Sequence, residues 1–498
     1  MAILGLFSGK GNHPLADAKE ARAALSPLAS AQPLDAVEDV SAWLEPLPGA
    51  DGLKLEQRVE IALLLDETGV THARRLARDY LTTPQSAKAK GLRLWQSAHG
   101  YWQKLTLAYA DCLARLVDTP KALSPARLAL LNARLMHAYG VRLKWEQFRY
   151  GPIDASLWAD AGRVYLQATA GNKLAGNKVR LYVNAPDDTS AELEYLKLLV
   201  FQASSMDKLQ PLEIELAERL IAWFLPHFVL TAQVRPENIY WVDAAKMLPP
   251  TRLAKLPEIA SSLRFFSTAE ALAAVNEMKG RIDRSGEVPS DLPLGGQYPV
   301  ATVAAVFEHL AMCWAPKPPM RTADRHQTKS MLAVIHDLDE IRARLLGGAS
   351  SQEGETWIAE NISRGGMAAR MPLGSNDWIQ VGALIGMRPE RSDQWLVGVV
   401  RRFTKETASQ GMVGITTIGK SPRGVEILSS GIKSQAILLD TPLRQGEMIT
   451  MVLPDRAWDD STPVTLTLDN LSARLLPFDI GYQGADFVVG RYRVDSLG

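Results

Sequence analysis

The stretch Ala315-Pro316-Lys317-Pro318-Pro319 separates two halves of this chain that follow different periodicities. Proline fixes φ and lacks a backbone donor, so such a run ends a preceding helix and favours a stiff, extended connection. Upstream, apolar residues recur every three or four positions. Leu34, Val37, Val40 and Leu44 form one such stripe, and Leu92, Trp95, Ala98, Trp102, Leu105, Tyr109 and Leu113 form a longer one. That period belongs to helices with one buried face. Downstream of about residue 328, short strand-like runs at 357–359, 367–371, 379–387, 395–403 and 412–418 are divided by Gly, Ser, Asn and Pro clusters. Their spacing predicts a small antiparallel barrel. The tail repeats the pattern at 425–428, 436–439, 448–453, 464–468 and 487–494, a second β unit.

Helix starts are legible in the first half. Ser124-Pro125 is an N-cap followed by proline at the first helical position, and Thr189 to Glu192 has the T-x-x-E form of a capping box. Between 226 and 314 the character is mixed, with strands expected at 228–234 and 239–242 and helices at 268–282 and 300–314. The expectation is an α+β multidomain chain. It comprises an α-helical domain (1–225), a mixed α/β connecting region (226–314), a six-stranded antiparallel barrel with its N-terminal arginine linker (315–420) and a C-terminal β unit (421–498). Trp43, Trp95, Trp102, Trp145 and Trp158 lie at helical spacing among leucines and read as core, not as a ligand-stacking set.

Composition narrows the function. Lys plus Arg and Asp plus Glu both total 55, and this zero balance argues against a surface that coats a nucleic-acid polymer. Cys112 and Cys313 are the two cysteines, so a disulfide framework and a cysteine-rich zinc site are excluded. A reducing, cytoplasmic setting is expected, because neither a secretory leader nor an apolar run of the ~18 residues a membrane span requires is legible. Gly5 to Gly11 falls short of a phosphate loop, and H-E-x-x-H, G-x-S-x-G and G-x-G-x-x-G are all missing from the sequence. His336-Asp337-Leu338-Asp339-Glu340 is the densest set of possible metal ligands, but it reads as an exposed strand or helix edge. His99 and His137 fall in helical stripes, where hydrogen-bonded packing is the better reading. The chain is therefore not expected to be an enzyme or to need a metal or cofactor.

Two motifs stand out by their order. Arg321-Thr-Ala-Asp-Arg325, an R-x-x-x-R, follows the proline linker directly, and Asn361-Ile-Ser363-Arg364-Gly365-Gly366 lies between two strand-like runs. Each has a bland explanation. The arginine spacing is expected about twice by chance and recurs at Arg74 to Arg78, inside a helical stripe. An N-x-S-x-G-G sequence can be no more than a hairpin turn. Together, and ahead of a barrel, they resemble the PilZ domain, the bacterial receptor module for cyclic di-GMP. Trp395-Leu-Val-Gly398-Val-Val-Arg401-Arg402-Phe403 and Met412-Val-Gly414-Ile415 are similar to that family's later strands. The resemblance covers residues 320–420, and a helical region ahead of the barrel resembles long proteobacterial PilZ proteins. One departure is a long separation from Arg325 to Asn361, with 337–346 as a helical or bulged insertion.

The resemblance implies that Arg321 and Arg325 bind guanine and phosphate, that Asn361 and Ser363 hydrogen-bond the ligand, and that Gly366 permits close backbone approach. Arg364 and Arg401 are further candidates for stacking or phosphate pairing. The chemistry suits the ligand: each guanine offers O6 and N7 to an arginine fork. Arginines at i and i+4 share a face in strand and helix alike, so Arg321 and Arg325 can act on one molecule. The sequence lacks G-G-D-E-F, and Glu270-Ala271-Leu272, the phosphodiesterase tripeptide, falls in a helical stretch without surrounding acidic ligands. The expected protein reads cyclic di-GMP without making or destroying it. Binding is expected to order the arginine linker, dock the helical half against the barrel, and engage a protein partner through the helical region. The alternative is an adaptor whose barrel no longer binds ligand and serves protein contacts.

Overall fold

A computed structural model describes residues 13–497 except 17, 85–86, 171–173, 186, 318–323, 349–353, 375–377, 440–442, 469–470 and 485. The chain divides into two compact units. One comprises Met1–Arg149, Ile153–Met206 and Pro211–Pro318, and the other Tyr150–Pro152, Asp207–Gln210 and Pro319–Gly498.

The first unit is helical: α1 (Ala18–Leu25), α2 (Pro33–Leu44), α3 (Leu55–Leu81), α4 (Lys88–Arg115), α5 (Pro125–Gln147), α6 (Ser156–Ala170), α7 (Ala191–Ala203) and α8 (Pro211–Phe224). A small sheet follows, built from β1 (Val229–Thr231), β2 (Asn238–Asp243), β3 (Thr251–Arg252) and β4 (Leu263–Ser267) in the order β1-β4-β2-β3. The helices α9 (Ala269–Ser285) and α10 (Val300–Trp314) complete the unit. Ser124 caps α5, its Oγ accepting from the Arg127 N–H at 3.3 Å with Pro125 in the first helical position. At α7 the expected cap moves by one residue. Ser190, extended at φ −149°, accepts from the Leu193 N–H, because the Thr189 hydroxyl is drawn to the Glu194 carboxylate at 2.9 Å. Trp102, Trp145 and Trp158 are buried as core residues, while Trp43 and Trp95 are half-buried. His99 and His137 sit on Glu146 and Glu194, at 3.4 and 3.0 Å.

Charged clusters are buried among these helices. Asp66 accepts from Arg134 Nη1 at 2.9 Å, from the Tyr109 hydroxyl at 2.7 Å and from the Tyr182 hydroxyl at 3.0 Å. The Arg134 guanidinium also covers the Tyr182 ring. In the second cluster Lys144 meets Glu215 at 2.8 Å and Lys197 pairs with Glu218. Buried charges persist where each has such a partner.

The second unit holds two closed antiparallel barrels. β5 (His326–His336), β6 (Glu355–Ser363), β7 (Gly366–Pro372), β8 (Leu384–Pro389), β9 (Leu396–Lys405) and β10 (Gln410–Gly419) close in the order β10-β7-β6-β5-β8-β9. β11 (Arg423–Ser429), β12 (Ile432–Leu438), β13 (Met448–Pro454), β14 (Val464–Leu468), β15 (Leu471–Gln483) and β16 (Phe487–Leu497) close in the order β11-β12-β13-β16-β15-β14. The fold class is thus α+β, a helical region followed by two six-stranded barrels. Inward-pointing Trp357, Met371, Ile385, Val400, Phe403 and Val413 fill the first barrel. Tyr150 joins that core: its ring lies 5.2 Å from Phe403, and its hydroxyl accepts from the Val381 N–H while donating to the Leu209 carbonyl.

The insertion at 337–346 is a helix, α11 (Leu338–Leu345). Its Ile341 lies in an apolar seam with Leu384, Val397 and Val399 of the first barrel and Ile437 and Val489 of the second. Arg342 fastens it further, donating from Nε to the Val425 carbonyl at 2.9 Å. Among the described residues no helix is long and apolar enough to cross a membrane, and no group of three or more His, Cys, Asp or Glu could hold a metal ion.

Candidate functional site

The Asn361 to Gly366 motif is the hairpin between β6 and β7. Ser363 pairs with Gly366 across a two-residue turn of Arg364 and Gly365, and the Ser363 Oγ donates to the Gly366 carbonyl at 3.0 Å. Side chains alternate along a strand, so Trp357 and Ala359 point into the core. A register shift between Ala359 and Asn361 then resets the alternation. It leaves Ile362 packed against the core and puts Asn361 and Ser363 together on the outer face of the barrel.

β5 brings the arginine motif to the same place. His326 stands opposite Ile362 and Gln327 opposite Asn361, and Arg325 immediately precedes the first paired residue of β5. Arg325 is exposed. Arg321 lies outside the described residues.

Gly366 is constrained by the barrel itself. Its strand pairs with β10, and a β-carbon on Gly366 would overlap the Ile415 carbonyl oxygen. The backbone approach that glycine permits here is therefore made by a neighbouring strand. Arg364 is exposed at the hairpin tip. Arg401 is turned elsewhere: its guanidinium carbon lies 3.7 Å from the centroid of the Tyr482 ring on β15.

One atom of the hairpin is unusual. The Asn361 Oδ1 is buried and has no hydrogen-bond partner among the described residues. A buried acceptor left unpaired costs about 1–3 kcal/mol, so its persistence calls for an explanation. Around it the outer face is lined by small residues. Ala368 pairs with Asn361, and Gly414 pairs with Ala368. Sequence reasoning missed Gln327, Ala368 and Gly414 as neighbours of the motif, since only strand register reveals them. The arrangement offers a cation at one end, an unpaired acceptor and a hydroxyl in the middle, and a low surface on which a planar group can lie.

Residues 19–236 match a family model, that of the N-terminal domain of the cyclic-di-GMP receptor FimW. The matched segment runs from α1 through β1, ahead of both barrels. Through it the chain is similar to a cyclic-di-GMP receptor. No curated protein matches the chain.

Proposed function

We propose that this protein is a cyclic di-GMP receptor whose first barrel, with the linker ahead of it (315–420), is a PilZ-type module. In this reading Arg321 and Arg325 grip guanine and phosphate from the strand entry, and Asn361 and Ser363 hydrogen-bond the ligand from the hairpin. Gly366 lets the hairpin close against β10 and so sets the position of Asn361 and Ser363, and Arg364 adds a cation at the tip. Arg401 contributes only if it leaves Tyr482. The observation that carries the reading is the Asn361 Oδ1, unpaired among the described residues, on the face it shares with Ser363, with Arg325 directly ahead of the strand that pairs with Asn361. Guanine supplies N–H donors for such an acceptor and O6 and N7 acceptors for an arginine fork. The similarity of residues 19–236 to a receptor's N-terminal domain supports the same ligand from a separate part of the chain.

Binding at the barrel is coupled, in this reading, to rearrangement or partner engagement of the helical region, which requires the ligand to favour one arrangement by about 1–3 kcal/mol. Calorimetric titration of the full chain with cyclic di-GMP tests the proposal. Binding is expected, with cyclic di-AMP failing to compete because adenine presents a donor where guanine presents O6. Silence with cyclic di-GMP would leave the barrel as a protein-contact adaptor. Small-angle scattering with and without ligand tests the coupling, and superimposable profiles would remove it.

A further inference from the structure

The outer face of the first barrel carries a cross-strand row that leads from Asn361 to a second arginine. Asn361 stands opposite Ala368 on β7, Ala368 opposite Gly414 on β10, and Gly414 opposite Arg402 on β9. Four neighbouring strands cover about 14 Å. The two residues between the ends are alanine and glycine, so no long side chain stands between them. The register shift between Gly414 and Ile415 separates Arg402 from its neighbour Arg401. Arg401 covers Tyr482, and Arg402 remains in the row.

Arg402 is held here by a carboxylate. Its Nε pairs with Oδ2 of Asp207, which also accepts from the Thr404 hydroxyl at 3.2 Å. The Arg402 side chain is 60% exposed and that of Asp207 only 15%. With its guanidinium end open to water, the pair is screened there and Arg402 can be exchanged onto a more highly charged partner. A carboxylate and a phosphodiester present the same acceptor oxygens to a guanidinium.

Resting on the receptor reading above, we infer that Arg402 is a further ligand-binding residue, meeting the phosphate of cyclic di-GMP farther from Arg325, and that Asp207 occupies it when ligand is absent. The two phosphates lie on opposite sides of the cyclic dinucleotide, so a cation is needed at each end of the row. Arg325 supplies one at the β5 side, and Arg402 supplies the other at the β9 side. Asp207 competes with the ligand for Arg402 and lowers the apparent affinity.

Calorimetric titration of the full chain and its variants with cyclic di-GMP tests the inference. Arg402→Ala is expected to weaken binding about tenfold or more. Asp207→Asn, which frees the guanidinium, is expected to tighten it, a gain that misfolding cannot imitate. Combined with Arg402→Ala, the Asp207 substitution should lose its effect. Wild-type binding that both single variants leave unchanged, or that Asp207→Asn weakens, overturns the role of Arg402 and spares the receptor reading. A wild-type chain silent toward the ligand overturns both.

Discussion

The Ile415 carbonyl oxygen lies against the α-carbon of Gly366 on the neighbouring strand, leaving no room for a side chain. Gly366→Ala is therefore expected to destabilise the barrel by about 1–3 kcal/mol, because backbone on both sides must move. Gly365, one residue earlier, has open space where its β-carbon would be. Gly365→Ala should stay within about 0.5 kcal/mol of the parent. Urea midpoints of the two variants check the contrast, and equal midpoints would contradict it.

Arg325→Ala is expected to cost about 1–3 kcal/mol in affinity for cyclic di-GMP if its fork meets a guanine edge. Arg78→Ala removes an arginine of the other R-x-x-x-R, on α3, where it is exposed on the helix surface. It serves as the control and should bind like the parent. Calorimetry reads both, and unchanged affinity in Arg325→Ala removes that residue from the site.

In the helical unit, Arg134→Met strips Asp66 of its buried cation and leaves the tyrosine hydroxyls as its remaining partners. Breaking such a pair from one side costs about 3–5 kcal/mol. Thermal unfolding followed by circular dichroism at the helical wavelength should show the loss.

Acid should weaken the same unit. Burial alone would raise the carboxyls of Glu194 and Glu218. The paired His137 overrides it at Glu194, and Lys144 and Lys197 override it at Glu218, so both are held below the ordinary carboxylate range. A carboxyl depressed on folding contributes stability that is complete above its unfolded value and lost as pH falls through its folded one. The contribution of these two carboxyls should therefore be complete from neutral pH down to about 5 and decline below about 4. Urea titrations across that range measure it. Glu218→Gln, which removes one titrating group, should make the decline shallower.

Much of the fold was readable because periodicity survives wherever one face is buried. The helical stripes keep their period, and the strands around Met367 and Ile415 alternate cleanly against a core. Two of the barrel strands escaped notice, as did β3 and β4 of the small sheet. β5 opens on His326-Gln327-Thr328-Lys329, all polar and largely exposed, and becomes apolar only near Leu332. β15 carries Pro477, shifts register three times along its pairing with β16, and turns much of its length to water, so it reads as a loop. The site divides in the same way. That Asn361 and Ser363 share a face follows from their spacing, whereas their neighbours Gln327, Ala368 and Gly414 come from strands whose register no local pattern encodes. Gly366 was legible as a glycine that must be a glycine, but not that a strand of the same barrel makes it so.

The apolar seam through Ile341, Val399 and Ile437 bears on how the second unit can be taken apart. Deleting everything after residue 420 would strip the covering from Leu384, Val397 and Val399 and turn a sealed interior into a greasy, self-associating flank. The two barrels are therefore expected to melt together as one cooperative body, and dissection by truncation would report on insolubility and not on the behaviour of the first barrel.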